Sequence, residues 1–145
     1  MILELVALLC TGLFAGAAIY ITLVEHPARL ECGPALAVAE FGPSYRRASV
    51  MQASLAVVGC LAAVAAWIQG SAAPVLVAGL LLGAAVPFTL IAILPTNKRL
   101  LDAGLERDSP EAAALLARWG HLHTVRSVVS GLAFLLLGLY RTGIL

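Results

Sequence analysis

The 145-residue chain is 61% hydrophobic and only 12% charged, with a formal net charge of +1. A soluble domain carries roughly 25% charged residues, so this composition excludes one and describes an integral membrane protein; the absence of any basic run also excludes nucleic-acid binding. The three cysteines, Cys10, Cys32 and Cys60, form no Cys-x-x-Cys motif and no disulfide framework, and read as small buried hydrophobes.

Crossing an apolar layer of about 30 Å takes roughly 20 helical residues, and four segments meet that length. The first runs from Ile2 to Val24. It has Glu4 and no Lys or Arg ahead of its apolar run, which exceeds the roughly 7–15 residues of a signal-peptide core, so a retained span is expected. In the first connection, Glu25 to Ser49, Gly33-Pro34 and Gly42-Pro43 predict two turns bracketing a short interfacial helix from Ala35 to Phe41. The second span, Val50 to Ile68, is joined by the short Gln69–Ala73 link to the third, Pro74 to Leu94. Pro87 is expected to kink that span or free a carbonyl. In the third connection, Pro95 to His121, Ser109-Pro110-Glu111 reads as an N-cap, a proline at the first helical position and an acid in the first turn. A helix from Pro110 then runs straight into the fourth span, about Leu122 to Leu139.

The fold class is therefore all-α: one membrane domain over residues 1–145, a four-helix bundle with two longer same-side connections containing short helices. Gly12-xxx-Gly16 and Gly79-xxx-Gly83 are spaced for close helix contact, within the bundle or in a homo-oligomer. Every basic residue except Arg141 falls in, or next to, the first and third connections. The positive-inside rule then puts those connections in the cytoplasm and both termini outside, as in a bacterial inner-membrane protein.

Polar groups gather at the same helix ends. Glu25 and His26 close the first span, Tyr45 and Gln52 open the second, Asn97 follows the third, and Trp119, His123 and Arg126 open the fourth, so one polar-headed pocket at this face is the economical expectation. Residues at i, i+4 and i+7 share a helix face. That rule groups Trp119 with His123 and Arg126, groups Tyr45 with Ser49 and Gln52, and points His121 away. Tyr20, one turn before Val24, is expected to line the pocket below His26.

Two uses of His123 and Arg126 compete. In a structural one, Arg126 pairs with Glu25 or with freed carbonyls of the third span, and His123 caps a helix end. In a catalytic one, His123 is a general base, since imidazole with its ordinary pKa of about 6.5 suits proton removal at neutral pH, and Arg126 stabilises a phenolate, enolate or superoxide-like anion. A metal is a further alternative: His26 and His123, with Glu25 or Asn97 as oxygen donors, suit iron, copper or zinc. Trp119 serves either as an interfacial anchor or as a stacking surface. No phosphate loop, nucleophile elbow or His-Glu-x-x-His motif is present.

Glu25-His-Pro-Ala-Arg29, Tyr45-Arg-Arg, Gln52, Pro95-Thr-Asn-Lys-Arg-Leu-Leu101 and Trp119-x-x-Leu-His-x-Val-Arg126 together resemble the motifs of the anthrone oxygenase family of small four-span membrane proteins, across nearly the whole chain. The resemblance implies an oxidoreductase that inserts oxygen into polycyclic aromatic anthrones to give anthraquinones, with dioxygen as co-substrate and no organic cofactor. It carries over Asn97, Trp119, His123 and Arg126 as site residues, with Pro27 and Pro95 as turn formers. The expected function is oxidation of an aromatic or quinone-like lipophilic molecule, with His123, Arg126 and Asn97 catalytic and Trp119, Tyr45, Gln52 and Tyr20 binding substrate. The alternatives are a copper or iron redox enzyme using His26, His123 and Glu25, and a non-enzymatic membrane protein that binds a lipid or a partner.

Overall fold

The computed structural model describes residues 1–145. Four helices, Ile2–Glu31, Pro34–Ile68, Ala73–Leu100 and Pro110–Arg141, are each long and apolar enough to cross a membrane, and there is no strand. Their outward faces carry Leu9, Leu13, Leu61, Ile91 and Leu135, all exposed. Such a bare apolar exterior is stable only in lipid. The chain is thus a multi-pass membrane protein built as a four-helix bundle.

The first connection is much shorter than its sequence suggests. The first helix continues through Glu31, and the chain reverses at Gly33, whose φ of 83° is open to glycine at little steric cost. Gly42-Pro43 is not a turn: a single helix runs from Pro34 to Ile68 with Pro43 inside it. Proline clashes with the Cβ of the residue before it, and Gly42 has none. The expected interfacial helix is therefore the first part of the second span. The other long connection is also shorter than expected, since the third helix runs on past Pro95 to Leu100, but its expected helix start is formed. The Ser109 hydroxyl accepts a bond from the Ala112 amide at 3.1 Å, and one helix runs from Pro110 to Arg141.

Two wide π-helical turns, Ile21–Glu25 and Thr89–Ile93, interrupt the first and third helices. Each precedes a proline, Pro27 or Pro95, that has no N–H for the carbonyl four residues back, and a wide turn absorbs that loss. Pro87 acts similarly, breaking the α-helix at Ala84. After Leu100 the chain is tied by Arg99, which donates to Asp102 at 2.8 Å and to Glu111 at 2.7 Å. The Gly104 amide, and then Arg99, hold the Asp102 carboxyl below its ordinary pKa.

At the far end the Glu4 carboxylate accepts from Ser71 at 2.8 Å and from Arg141 at 2.9 Å. This closes the bundle between the first span, the short link and the last turn of the fourth span. Above that latch, small residues bring the helices together. Gly79 and Gly83 lie against Ala63 and Cys60 of the second span, and Gly12 against Phe134, whereas Gly16 faces open space. The Gly79-xxx-Gly83 face is thus spent inside the chain.

A Cβ at Gly79 would sit 2.2 Å from the Ala63 Cβ. Gly79→Ala should therefore cost about 1–3 kcal/mol through overpacking. Gly16→Ala, with nothing within 4 Å of the added carbon, should leave stability nearly unchanged. Thermal unfolding of both variants in detergent checks this; equal midpoints would contradict the packing.

Candidate functional site

A cavity of about 180 Å³ opens among the four helices at the end away from the Glu4 latch. Its floor is apolar, made by Phe14, Ala56 and Ala85. These three belong to one buried cluster that also contains Ala18 and Leu82. Tyr45, Ser49 and Gln52 line the wall from the second helix; Trp119, His123 and Arg126 line it from the fourth. Both i, i+4, i+7 sets therefore face the same space, as their spacing predicts.

The side wall is aromatic. Trp119 lies nearly parallel to His123, with ring centroids 4.7 Å apart and planes 25° apart. Phe41 meets Trp119 edge-on at 5.4 Å and stacks on Tyr45 at 5.8 Å. Such contacts add about 0.5–1.5 kcal/mol each beyond area burial, and here they hold flat surfaces beside an open volume.

Two arginines reach the cavity, and their partners differ. Arg29 is paired with both Glu25 and Glu40, and Ser44 also donates to Glu25 at 2.9 Å. Arg126 has no carboxylate partner. Its Nη2 donates to the Gln52 amide oxygen at 2.6 Å, and its guanidinium carbon sits 5.3 Å from the centre of the Phe14 ring. Both Arg126 Nε and Gln52 Nε2 are shielded and have no hydrogen-bond partner. The expected pairing of Arg126 with Glu25 is not formed, because Arg29 on the next turn of the same helix takes that acid. What remains is a positive group without a carboxylate at the wall of an apolar cavity, an arrangement suited to an anion.

His123 is fixed from behind. Its Nδ1 lies 3.1 Å from Thr22 Oγ1, which in turn is 2.7 Å from Ser127 Oγ. No protein group bonds Nε2.

Several sequence expectations fall elsewhere. Tyr20 is 56% exposed and is not a lining residue. The inward face of the first helix carries Phe14, Ala18, Ile21 and Glu25, and Tyr20 lies roughly 240° around the helix from Phe14. Asn97 is buried with Oδ1 unpartnered, but it does not line the cavity. The π-turn before it rotates the following segment by about one residue of helical phase, ~100°. Thr89 and Leu90 take the lining positions instead, and the segment Leu94–Leu100 packs on the fourth helix. His26 sits behind the wall, its ring 5.1 Å from Trp119 and pressed against Gly120, where a Cβ would come within 2.6 Å of Nε2. No three His, Cys, Asp or Glu side chains gather as a metal-binding group, so Glu25, His26 and His123 do not form one. His121 is exposed, as its phase predicts.

The sequence reading missed Thr22, Arg29, Phe41, Ser44 and Ser127. Phe41 and Tyr45 do carry a signal, an i, i+4 aromatic pair, once Pro34–Ile68 is known to be one helix.

No curated protein and no solved structure matches this chain. The family model for anthrone oxygenase does match, over residues 41–136. That stretch holds Phe41, Tyr45, Gln52, Trp119, His123 and Arg126, which means that most of the cavity's aromatic wall and its acid-free arginine lie inside the matched region. The chain belongs to the anthrone oxygenase family.

Proposed function

We propose that this protein oxidises a flat, lipophilic, enolisable aromatic ketone of the anthrone type with dioxygen, giving the corresponding quinone and water. The observation that carries the reading is Arg126: a guanidinium without a carboxylate, beside a histidine with a free ring nitrogen, in a cavity with aromatic walls and an apolar floor.

The chemistry follows from the substrate. An anthrone has an acidic C–H opposite its carbonyl; removing that proton gives an aromatic enolate, rich enough in electrons to reduce dioxygen. His123 Nε2 takes the proton, and Arg126, oriented by its bond to Gln52, holds the enolate oxygen. Dioxygen then adds at the carbanionic carbon through electron transfer and recombination, and His123 returns the proton to the resulting peroxide. Loss of the second C–H proton with cleavage of the O–O bond leaves a carbonyl at that carbon, and the departing hydroxide and proton form water. One substrate and one dioxygen thus give one quinone and one water. Trp119, Phe41 and Tyr45 hold the ring system flat, which supplies orientation.

On this reading dioxygen is the co-substrate, no organic cofactor takes part, and no copper or iron is required. The exposed residues Arg46, Arg47, Lys98, Arg99, Arg107 and Arg118 lie near the cavity end of the helices, which through the positive-inside rule supports a cytoplasmic cavity mouth with both termini outside a bacterial inner membrane.

His123→Ala should slow dioxygen consumption with an anthrone by about 10²–10⁴-fold, and Arg126→Met by about 10²–10³-fold, with both variants remaining folded in detergent. Oxygen-electrode rates alongside thermal unfolding check this, and normal turnover by either variant would remove its residue from the mechanism. Dialysis against a chelator, followed by elemental analysis, should leave the rate unchanged. A loss restored by copper or iron would replace this scheme with a metal-dependent one.

A further inference from the structure

The chain of groups behind His123 has a direction. Ser127 Oγ lies 2.9 Å from the Ala18 carbonyl oxygen and 3.3 Å from the His123 carbonyl oxygen. Carbonyls only accept, and two oxygens 2.9 Å apart repel unless a proton lies between them, so the geometry favours the single Ser127 hydroxyl proton on the Ala18 carbonyl. In the 2.7 Å contact between the two hydroxyls, that placement makes Ser127 the acceptor and Thr22 the donor. With its own proton committed, Thr22 Oγ1 has only lone pairs to offer His123 Nδ1, 3.1 Å away.

We propose that Thr22 and Ser127 are positioning residues that lock neutral His123 in the Nδ1–H tautomer, leaving Nε2 as the unprotonated nitrogen available to the cavity. The proposal rests on the reading of His123 as the base and specifies which of its atoms acts. Which nitrogen carries the proton is set by the bond the other nitrogen makes, and here that bond is decided by a carbonyl two hydroxyls away.

This has a consequence for the proton taken from substrate. A relay ending on a carbonyl has no further acceptor to hand a proton to, so the proton that arrives at Nε2 can leave only through Nε2. The same Nδ1–H to Thr22 bond serves neutral and protonated imidazole alike. His123 can therefore change charge without rearranging its support, which is what preorganisation requires.

The test is the nitrogen NMR signature of His123 in the full-length protein, labelled with nitrogen-15 histidine and studied in detergent at a pH where the ring is neutral. His123→Gln identifies its signals among those of the three histidines. Wild type should show a protonated, pyrrole-type Nδ1 and an unprotonated, pyridine-type Nε2. Thr22→Val removes the acceptor while keeping the shape, and should shift the ring toward the Nε2–H form. Thr22→Ser should restore the wild-type pattern. Ser127→Ala, which frees the Thr22 proton to point at Nδ1, should move the signals in the same direction as Thr22→Val. A wild-type ring protonated at Nε2, or Thr22→Val spectra identical to wild type, would overturn the proposal. In anthrone turnover, Thr22→Val should lower kcat with KM held, and Thr22→Ser should recover it. The spectra do not depend on turnover, so an inactive protein with the Nδ1–H signature would sink the oxygenase reading and leave the tautomer lock standing.

Discussion

A guanidinium carried into hydrocarbon without a carboxylate is the constraint around which the bundle is arranged. Placing an arginine at mid-bilayer costs about 2.5–3.5 kcal/mol on insertion scales. The bond to Gln52, a charged group on a neutral one, returns about 1.5–3 kcal/mol, and the Phe14 ring face adds about 0.5–2 kcal/mol. These contributions nearly cancel, so Arg126 is tolerated without being neutralised. The nearby acids, Glu25 and Glu40, are both committed to Arg29. Charge pairing at the mouth and charge held open along the wall are two sides of one partition, and a pocket for an anion depends on keeping them apart.

Local backbone irregularities make that partition sterically workable. The π-turns before Pro27 and Pro95 re-aim the helix ends just where the cavity begins, bringing Thr22 against His123 and Thr89 to the lining. The unbroken helix through Pro43 brings Phe41 to Trp119 and Ser44 to Glu25. Had Gly42-Pro43 formed a turn, the aromatic wall would lack its upper side. Close contacts between small residues at Gly79 and Ala63 keep the helices together lower down.

The sequence was most legible where a helix runs uninterrupted. Trp119, His123 and Arg126, like Tyr45, Ser49 and Gln52, could be assigned to one space because their phase depends only on 3.6 residues per turn. Asn97 departs from that phase because it follows a π-turn that adds a residue. Tyr20 shares the outward face of Val24, also exposed, while the small buried residues Ala15 and Ala18 mark the inner face. The Arg29 cluster stayed hidden behind the reading of residues 25–49 as a connection, since helical spacing cannot be applied to a presumed loop. Thr22 gives no signal at all in an apolar run; only the tertiary fold sets it beside residues more than 100 positions away.

Below Phe14, Ala56 and Ala85 the helices pack through a buried cluster of Ala7, Ala62, Ala63, Val75, Ala78 and Leu137 down to the Glu4 latch. None of the cluster's residues lines the cavity, so substrate and product exchange at the other end of the bundle. A neutral quinone has no acidic C–H and cannot become the enolate, so on the proposed chemistry the attraction of Arg126 lapses when the reaction is complete. Affinity would then fall as turnover finishes, and release of product into the bilayer would need no gate, only the disappearance of a charge.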